Sequence, residues 1–486
     1  MMTRNPLLMP ALCLVLGILT GNHLPDGLPL WPVLAVGLLM TLATYRRPMV
    51  QSIGIYFCLL VLGALLHVNH QQQLAFSWPD GEVTADAVIV SEVGEKPKTM
   101  AMDIVLADGN RRLKCYIAKD SRSQSLTVGN GLRFKARIRP IAEDELGSYR
   151  RYLEVHGFTG NVYIGSRHWQ SHPTSLSALS HLERTRLYFL KLRHRLLSRY
   201  VEAGIGESQL AIVSAMALGD KSALSREQRE LYGQSGASHV LALSGLHLSV
   251  IYALLSLFTV GRRFFLATQV LTLLSIWAYV FLVGLSPSIT RAAIMISVYA
   301  LLALGGRNRM SVNTLAFTAI AMLCWNPYTL YDVGFQLSFL VMLSILIWKP
   351  FYDSQAIRQR LFRHRWLYWL YGVVCVSVAA QIGAAPLIAY YFGRFPVWFL
   401  LTNFVAIPAT TLILYLALAT LLVPWLGTLL SLCVDWLNAA LTLIVGLPGS
   451  CIEGLHPSPL QVVMAYVIIL AVYAIANILW PRSAHK

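Results

Sequence analysis

The chain has 486 residues, of which 56% are hydrophobic and 13% charged, with 39 Lys and Arg against 23 Asp and Glu for a net charge of +16. Soluble domains carry about 25% charged residues, so this composition excludes a soluble globular enzyme, a disordered chain and a disulfide-stapled secreted module. The 7 cysteines lie mostly inside apolar runs, with no CxxC pair and no zinc-like Cys/His spacing, and read as small buried apolar side chains.

A membrane-spanning helix needs about 20 mainly apolar residues. Three candidates come first, at about 7–21, 30–45 and 51–68. No small-residue cleavage site follows the first, which therefore reads as a retained anchor and not a signal peptide. From about 70 to 185 the chain turns polar. Residues 82–91, 101–107, 112–118, 132–139 and 158–164 read as strands, with Asp108-Gly109-Asn110 and Gly129-Asn130-Gly131 as hairpin turns. Five short strands predict a small external all-β domain, OB-like, over 70–170. Such barrels bind oligonucleotides on one strand face. Arg133, Lys135, Arg137 and Arg139 alternate and share one face of a strand, and with Lys114 they are candidate DNA-binding residues or simply a solvated face. A basic amphipathic helix over 181–203, within a linker at 171–235, fits the lipid headgroup layer.

Apolar runs return at about 239–259, 264–285, 289–305, 313–331, 334–348, 367–392, 398–423, 428–446 and 460–480. The expected architecture is a multi-pass α-helical membrane protein of about 12 spans. Residues 1–69 form its N-terminal transmembrane helices and 236–486 its main transmembrane domain. Basic residues mark cytoplasmic loops. Arg4, Arg46, Arg47, Arg262, Arg263, Arg307, Arg309, Lys349, Arg358, Arg360, Arg363, Arg365, Arg482 and Lys486 all fall on one side of these spans, which places both termini in the cytoplasm and the β domain outside.

Polar residues inside spans need a partner or a water-filled path. The segment from Leu218-Gly219-Asp220-Lys221-Ser222 to His239-Val-Leu-Ala-Leu-Ser244-Gly245-Leu-His247 is the richest in them. It resembles the ALxLGD(K/R)S and SGxxHxLAxSGLH motifs of the ComEC-type competence proteins. Ser288-Ile-Thr-Arg291-Ala292, Asp332-Val-Gly-Phe335-Gln336-Leu-Ser338-Phe, and the series Gln381, Pro386, Phe392-Gly393, Asn403 and Pro408 are similar to further motifs of that family, in order. Tyr149-Arg-Arg-Tyr152-Leu153-Glu-Val-His-Gly157 is similar to the link that follows the family's OB-like domain.

The resemblance implies a bacterial cytoplasmic-membrane channel for single-stranded transforming DNA. It implies an external DNA receptor, and a cytoplasmic helicase, ATPase or single-strand-binding protein, as partners beside the membrane lipids. A homo-oligomer is a further expectation. His239, Ser244, Gly245, His247, Arg291, Gln336, Gln381 and Asn403 are the candidate lumen residues, each with an interhelical hydrogen bond as its plainer role. The HxHxDH motif of the metallo-β-lactamase-like domain found in many members is not in this sequence, nor is a GxxxxGK[ST] P-loop, so neither nuclease nor ATPase activity is expected, and no cofactor. Two other function classes compete with the channel. One is a transporter of small molecules or lipid-linked substrates. The other is an intramembrane hydrolase with Ser244 as nucleophile and His239 or His247 as base, although no orienting acid is near in sequence.

Overall fold

The computed structural model describes residues 5–25, 28–109, 111–141, 147–172, 179–256, 265–304, 311–353 and 364–479. Of the basic loop residues, Arg4, Arg262, Arg263, Arg307, Arg309, Arg358, Arg360, Arg363, Arg482 and Lys486 lie outside the described residues. The chain forms two compact units: Met1–Leu196 with Trp277–Val298 and Ala316–Asp332, and Leu197–Ile276 with Tyr299–Leu315 and Val333–Lys486.

The first unit begins with three helices, α1 (Leu8–Gly21), α2 (Leu30–Ala43) and α3 (Pro48–Leu74). Pro48 opens α3, where its missing N–H would have had no intrahelical partner. Small residues bring α1 and α3 together: a Cβ on Gly17 would collide with the Leu60 carbonyl, and one on Gly63 with the Leu14 carbonyl. In a bilayer such close backbone approach replaces the hydrophobic drive to pack. Leu30 and Leu34 of α2 bury against Cys58, Val61 and Leu65 of α3.

The β domain follows, as β1 (Val83–Ile89), β2 (Gly94–Glu95), β3 (Thr99–Leu106), β4 (Arg112–Ala118), β5 (Gly131–Ala136), β6 (Ile138–Arg139), α4 (Gly147–Val155), β7 (Phe158–Ile164) and β8 (Trp169–Ser171). β5 and β6 are one strand interrupted at Arg137, and its two parts have different partners. β5 runs antiparallel to β1, while β6 runs antiparallel to β7. Since β1 also pairs with β3, β3 with β4, and β4 in parallel with β7, the pairings return to their start and enclose a barrel. Alternate residues point inward, and Ile89, Met102, Ile104, Leu113, Ile117 and Phe134 fill the core.

Asp108-Gly109 does turn a hairpin, between β3 and β4, with Gly109 at φ +79°. Gly129-Asn130-Gly131 does not. Gly129 has φ +86°, but the chain passes from β4 to a strand that pairs with β1 and β8, not with β4. Turn chemistry is local, whereas the partner of the next strand is chosen by closure of the whole sheet.

The amphipathic helix is α5 (His181–Glu202). Its apolar face, through Leu187 and Leu190, is buried against Val88, Val90, Val105 and Val128 of the β domain. The headgroup reading of this face is therefore corrected. Val88, Val90 and Val105 present apolar surface on the outside of the barrel, and α5 is the element that covers it.

Beyond α5 come α6 (Glu207–Val213), a π-helical turn at Ser214–Leu218, α7 (Arg226–Gln234), α8 (Ser238–Leu241), α9 (Gly245–Ser256), α10 (Phe265–Leu282), α11 (Pro287–Leu304), α12 (Val312–Trp325) and a 3₁₀ turn at Pro327–Tyr331. The long helices α13 (Val333–Tyr352), α14 (Arg365–Phe392), α15 (Phe399–Thr420), α16 (Leu426–Val445) and α17 (Pro459–Leu479) complete the chain, with a short pair β9 (Arg394–Pro396) and β10 (Cys451–Glu453). Among the described residues, 6 helices are long and apolar enough to cross a membrane: Pro48–Leu74, Val333–Tyr352, Trp366–Phe392, Phe399–Thr420, Leu426–Val445 and Pro459–Leu479. The other six expected spans do contain helix, but in shorter stretches. α1, α2 and α12 have 14 residues each, which at 1.5 Å per residue is about 21 Å against a hydrocarbon core of about 30 Å.

Candidate transport path and external surface

The motif around Gly219 is a structured turn. Gly219 ends the π-helical turn at φ +74°, a conformation that glycine adopts without steric cost. Ser214 Oγ donates to the carbonyls of Ala211 (3.0 Å) and Asp220 (3.1 Å), and Asp220 Oδ1 accepts from the Ser222 N–H at 3.0 Å. α7 then opens with a Ser225/Gln228 capping box, and Tyr232 on it donates to Asn438 of α16 at 3.0 Å.

Two turns later the chain breaks between α8 and α9. Ser244 stands before the first residue of α9, and its Oγ accepts from the Leu246 N–H at 3.3 Å. His247 turns back so that its Nδ1 accepts from the Ser244 N–H (3.3 Å) and lies 3.1 Å from Ser244 Oγ. This resembles a capping box, with histidine at N3 where glutamate or glutamine usually stands and the Ser244 hydroxyl taking the N2 rather than the N3 N–H. It accounts for the Ser-Gly-Leu-His spacing without invoking a nucleophile. His247 is fully buried, Gly245 is half-buried, and His239 is exposed, its Nδ1 3.1 Å from the Gly236 carbonyl oxygen.

Two of the remaining candidates of the second unit, Gln336 and Asn403, bind helix to helix. Gln336 on α13 accepts from the Tyr391 hydroxyl of α14 at 2.7 Å. Asn403 on α15 donates to Ser377 Oγ of α14 at 2.9 Å. Close approach of α13 to α14 is set by Gly383, where a Cβ would come within 2.7 Å of Ser344 Cβ, and Ser344 Oγ donates to the Ala379 carbonyl at 2.6 Å. Gln381 is half-buried one turn from Ser377 on α14. Ser377 and Tyr391 are partners that the sequence reading missed, since a lone serine or tyrosine in an apolar helix carries no signal of its own. Arg291, on α11, belongs to the first unit. It is 5% exposed, with Nη1 3.6 Å from Met295 Sδ one turn on.

On the β domain, Arg133, Lys135, Arg137 and Arg139 are all exposed on the outer face, as their alternation predicts. Three of them are met by acids. Arg133 donates two hydrogen bonds to Asp86 (2.7 and 2.8 Å), Lys135 lies 3.4 Å from Glu82, and Arg137 lies 3.4 Å from Asp80. The Arg133 guanidinium holds the Asp86 carboxyl below its usual range. Lys114 is likewise paired, with Asp103 at 2.6 Å. Arg139 lies 6.0 Å from the ring centre of Tyr163. The acids at 80, 82 and 86 alternate as the cations do, so the signal was present, but only the strand register puts Asp86 opposite Arg133. On α5, burial and the neighbouring Arg112 push the Arg186 guanidinium down to about 10, and at the end of α4 burial lowers His156.

The Competence protein family model matches residues 216–478, from the turn around Gly219 to the end of α17. The chain belongs to the Competence protein family. The expected resemblance is thus borne out, and with the long apolar helices it makes the chain a membrane protein. It is similar to the ComE operon protein 3 of Bacillus subtilis (strain 168), 29% identical over 331 residues, covering 64% of this chain and 40% of the relative. It is also similar to an uncharacterized protein of Aquifex aeolicus (strain VF5), 31% identical over 213 residues, covering 43% of this chain and 48% of the relative. The chain spans less than half the length of these curated relatives. No solved structure matches it.

Proposed function

We propose that this competence protein is a channel in the bacterial cytoplasmic membrane through which single-stranded DNA enters during natural transformation. The observation that carries this reading is the family match over residues 216–478, which contains all eight lumen candidates, Arg291 among them, in one ordered series. In this reading the apolar helices make about 12 crossings, the shorter ones contributing spans with the help of neighbours, and both termini are cytoplasmic. Residues 1–69 are the N-terminal helices, 70–170 an external OB-like domain, 171–235 a linker and 236–486 the channel proper. The ring of strand pairings, with β4 and β7 parallel, supports the OB-like assignment. The path is lined by some of His239, Ser244, Gly245, His247, Arg291, Gln336, Gln381 and Asn403, and the others serve as interhelical contacts.

Such a channel does not itself cleave DNA or hydrolyse ATP. The membrane potential opposes an incoming polyanion by about 2.3 kcal/mol per charge per 100 mV, so the pull comes from a cytoplasmic helicase or from proteins that bind the emerging strand. An external receptor supplies the DNA. The exposed ion pairs on the β domain are each worth about 0–1 kcal/mol, so phosphates are able to exchange with Asp80, Glu82 and Asp86 for the cations opposite them. Transport of a small or lipid-linked substrate is the second reading of a polar path through apolar helices. A hydrolase reading is weakened by the capping geometry of Ser244 and His247.

A deletion strain tests the function directly. DNA binding at the cell surface and entry past the outer layers are expected to persist, while arrival of labelled single strands in the cytoplasm is lost. Normal cytoplasmic arrival in the deletion strain would remove the channel reading.

A further inference from the structure

The β domain carries a row of aromatic rings that its core does not require. Tyr116 on β4 and Tyr163 on β7 are register partners in the parallel pair, and their rings stack at 4.8 Å and 15°. Tyr163 is 57% exposed, on a strand whose other side chains are all buried. The Tyr116 hydroxyl meets that of Tyr149 at 3.2 Å, and Tyr149 is parallel to Tyr152 at 6.3 Å and 14°. Tyr152 in turn lies 4.2 Å from the His156 ring. Cations flank the row: Lys96 stands 4.8 Å over Tyr116 and Arg139 6.0 Å from Tyr163. At its far end, α4 is tied to the end of α12 by a 3.1 Å hydrogen bond from Asn326 Nδ2 to the Val155 carbonyl, and Arg151 lies 5.2 Å over Tyr331 of the 3₁₀ turn.

We propose that Tyr163, Tyr149 and Tyr152, with the buried Tyr116 bracing Tyr163 and Tyr149 from beneath, form a stacking track for single-stranded DNA, which leads the strand across the β domain toward the end of α12. The proposal rests on the channel reading for its substrate. Every base presents a π-face, so stacking on tyrosine is independent of sequence, as uptake of arbitrary DNA demands. The three exposed tyrosines, Tyr163, Tyr149 and Tyr152, hold successive bases, while Lys96 and Arg139 sit where they meet phosphates. Arg133, Lys135 and Arg137 lack this arrangement, because each faces an acid that a phosphate must first displace. A lipid headgroup layer is the competing occupant of exposed tyrosines, and it is an outcome of the test.

The full chain in lipid nanodiscs is titrated against a fluorescent oligothymidine by anisotropy, and the same variants are scored for DNA import in cells. Tyr163→Ala and Tyr152→Ala are each expected to weaken binding about fivefold or more, the pair more than either. Tyr163→Phe keeps the ring and stays within about twofold of wild type, as does Tyr188→Ala, an exposed tyrosine on α5 outside the row. Monodisperse elution of each variant shows that it folds. Wild-type affinity in the alanine variants, or loss of import with unchanged binding, would overturn the track and leave the channel reading standing. The same holds if alanine variants change only how the protein associates with lipid, or if the wild-type chain binds no oligonucleotide while the deletion strain fails to import. Normal import by the deletion strain would overturn the channel reading whatever the binding result.

Discussion

Arg291 illustrates how a residue's role follows from where its charge lies. It sits on an apolar helix and is 5% exposed, covered by protein rather than by lipid. Removing a buried donor leaves the polar groups around it unsatisfied at about 1–3 kcal/mol each, and a planar guanidinium is not replaced by an ammonium at such a place. Arg291→Ala and Arg291→Lys are therefore both expected to lower the amount of folded protein in the membrane, measured as the monodisperse fraction of a detergent extract. A well-folded Arg291→Ala variant that fails to import DNA would instead assign the residue to the path, and one that imports fully would give it neither role. The candidate site was legible in the sequence to the extent that polar residues in apolar runs stand out. What each of them touches was not. Ser244 and His247 are three residues apart, and a capping contact is deducible from that spacing. Asn403 and Ser377 are 26 residues apart on different helices, and only packing brings them together.

At the level of elements, glycine positions carry opposite consequences according to what faces them. Gly63 lies against the Leu14 carbonyl, with no room for a methyl group, whereas nothing lies within 4 Å of a Cβ at Gly372 on α14. Gly63→Ala is expected to destabilise the α1–α3 pair by about 1–3 kcal/mol. Gly372→Ala is expected to be neutral or stabilising by up to about 1 kcal/mol, the helix propensity difference. Thermal unfolding of the two variants in the same detergent distinguishes the signs, and equal destabilisation by both would contradict this packing. The β strands were readable to within a few residues because inward and outward side chains alternate. The break of the fourth strand at Arg137 was not readable, since it follows from that strand serving β1 with one half and β7 with the other.

For the molecule as a whole, orientation is the property that every functional argument needs. In the proposed topology, which rests on the distribution of basic residues, the β domain is outside and both termini are inside. Ser125→Cys, introduced on an exposed turn of the β domain in a background without the native cysteines, is expected to react with a membrane-impermeant maleimide in cells freed of their outer layers. Reaction only after the cytoplasmic membrane is permeabilised would reverse the topology, and with it the direction in which the aromatic row presents a strand.

Composition and pattern by themselves determined that the chain is a membrane protein with a β domain inserted between apolar helices, and the ordered motifs determined its family. Both are properties of local sequence: hydropathy follows from the residues present, and a motif is a spacing. The tertiary structure decided which charges are neutralised, which helix face is covered and which spans are long. Those depend on strand register, on the cover that α5 provides for the barrel, and on where each helix stops, and all three are set by contacts between residues far apart in the chain. The tyrosines make the point most sharply. Tyr116 and Tyr163 are 47 positions apart and unremarked in the sequence, and a parallel strand pair sets their rings 4.8 Å from each other.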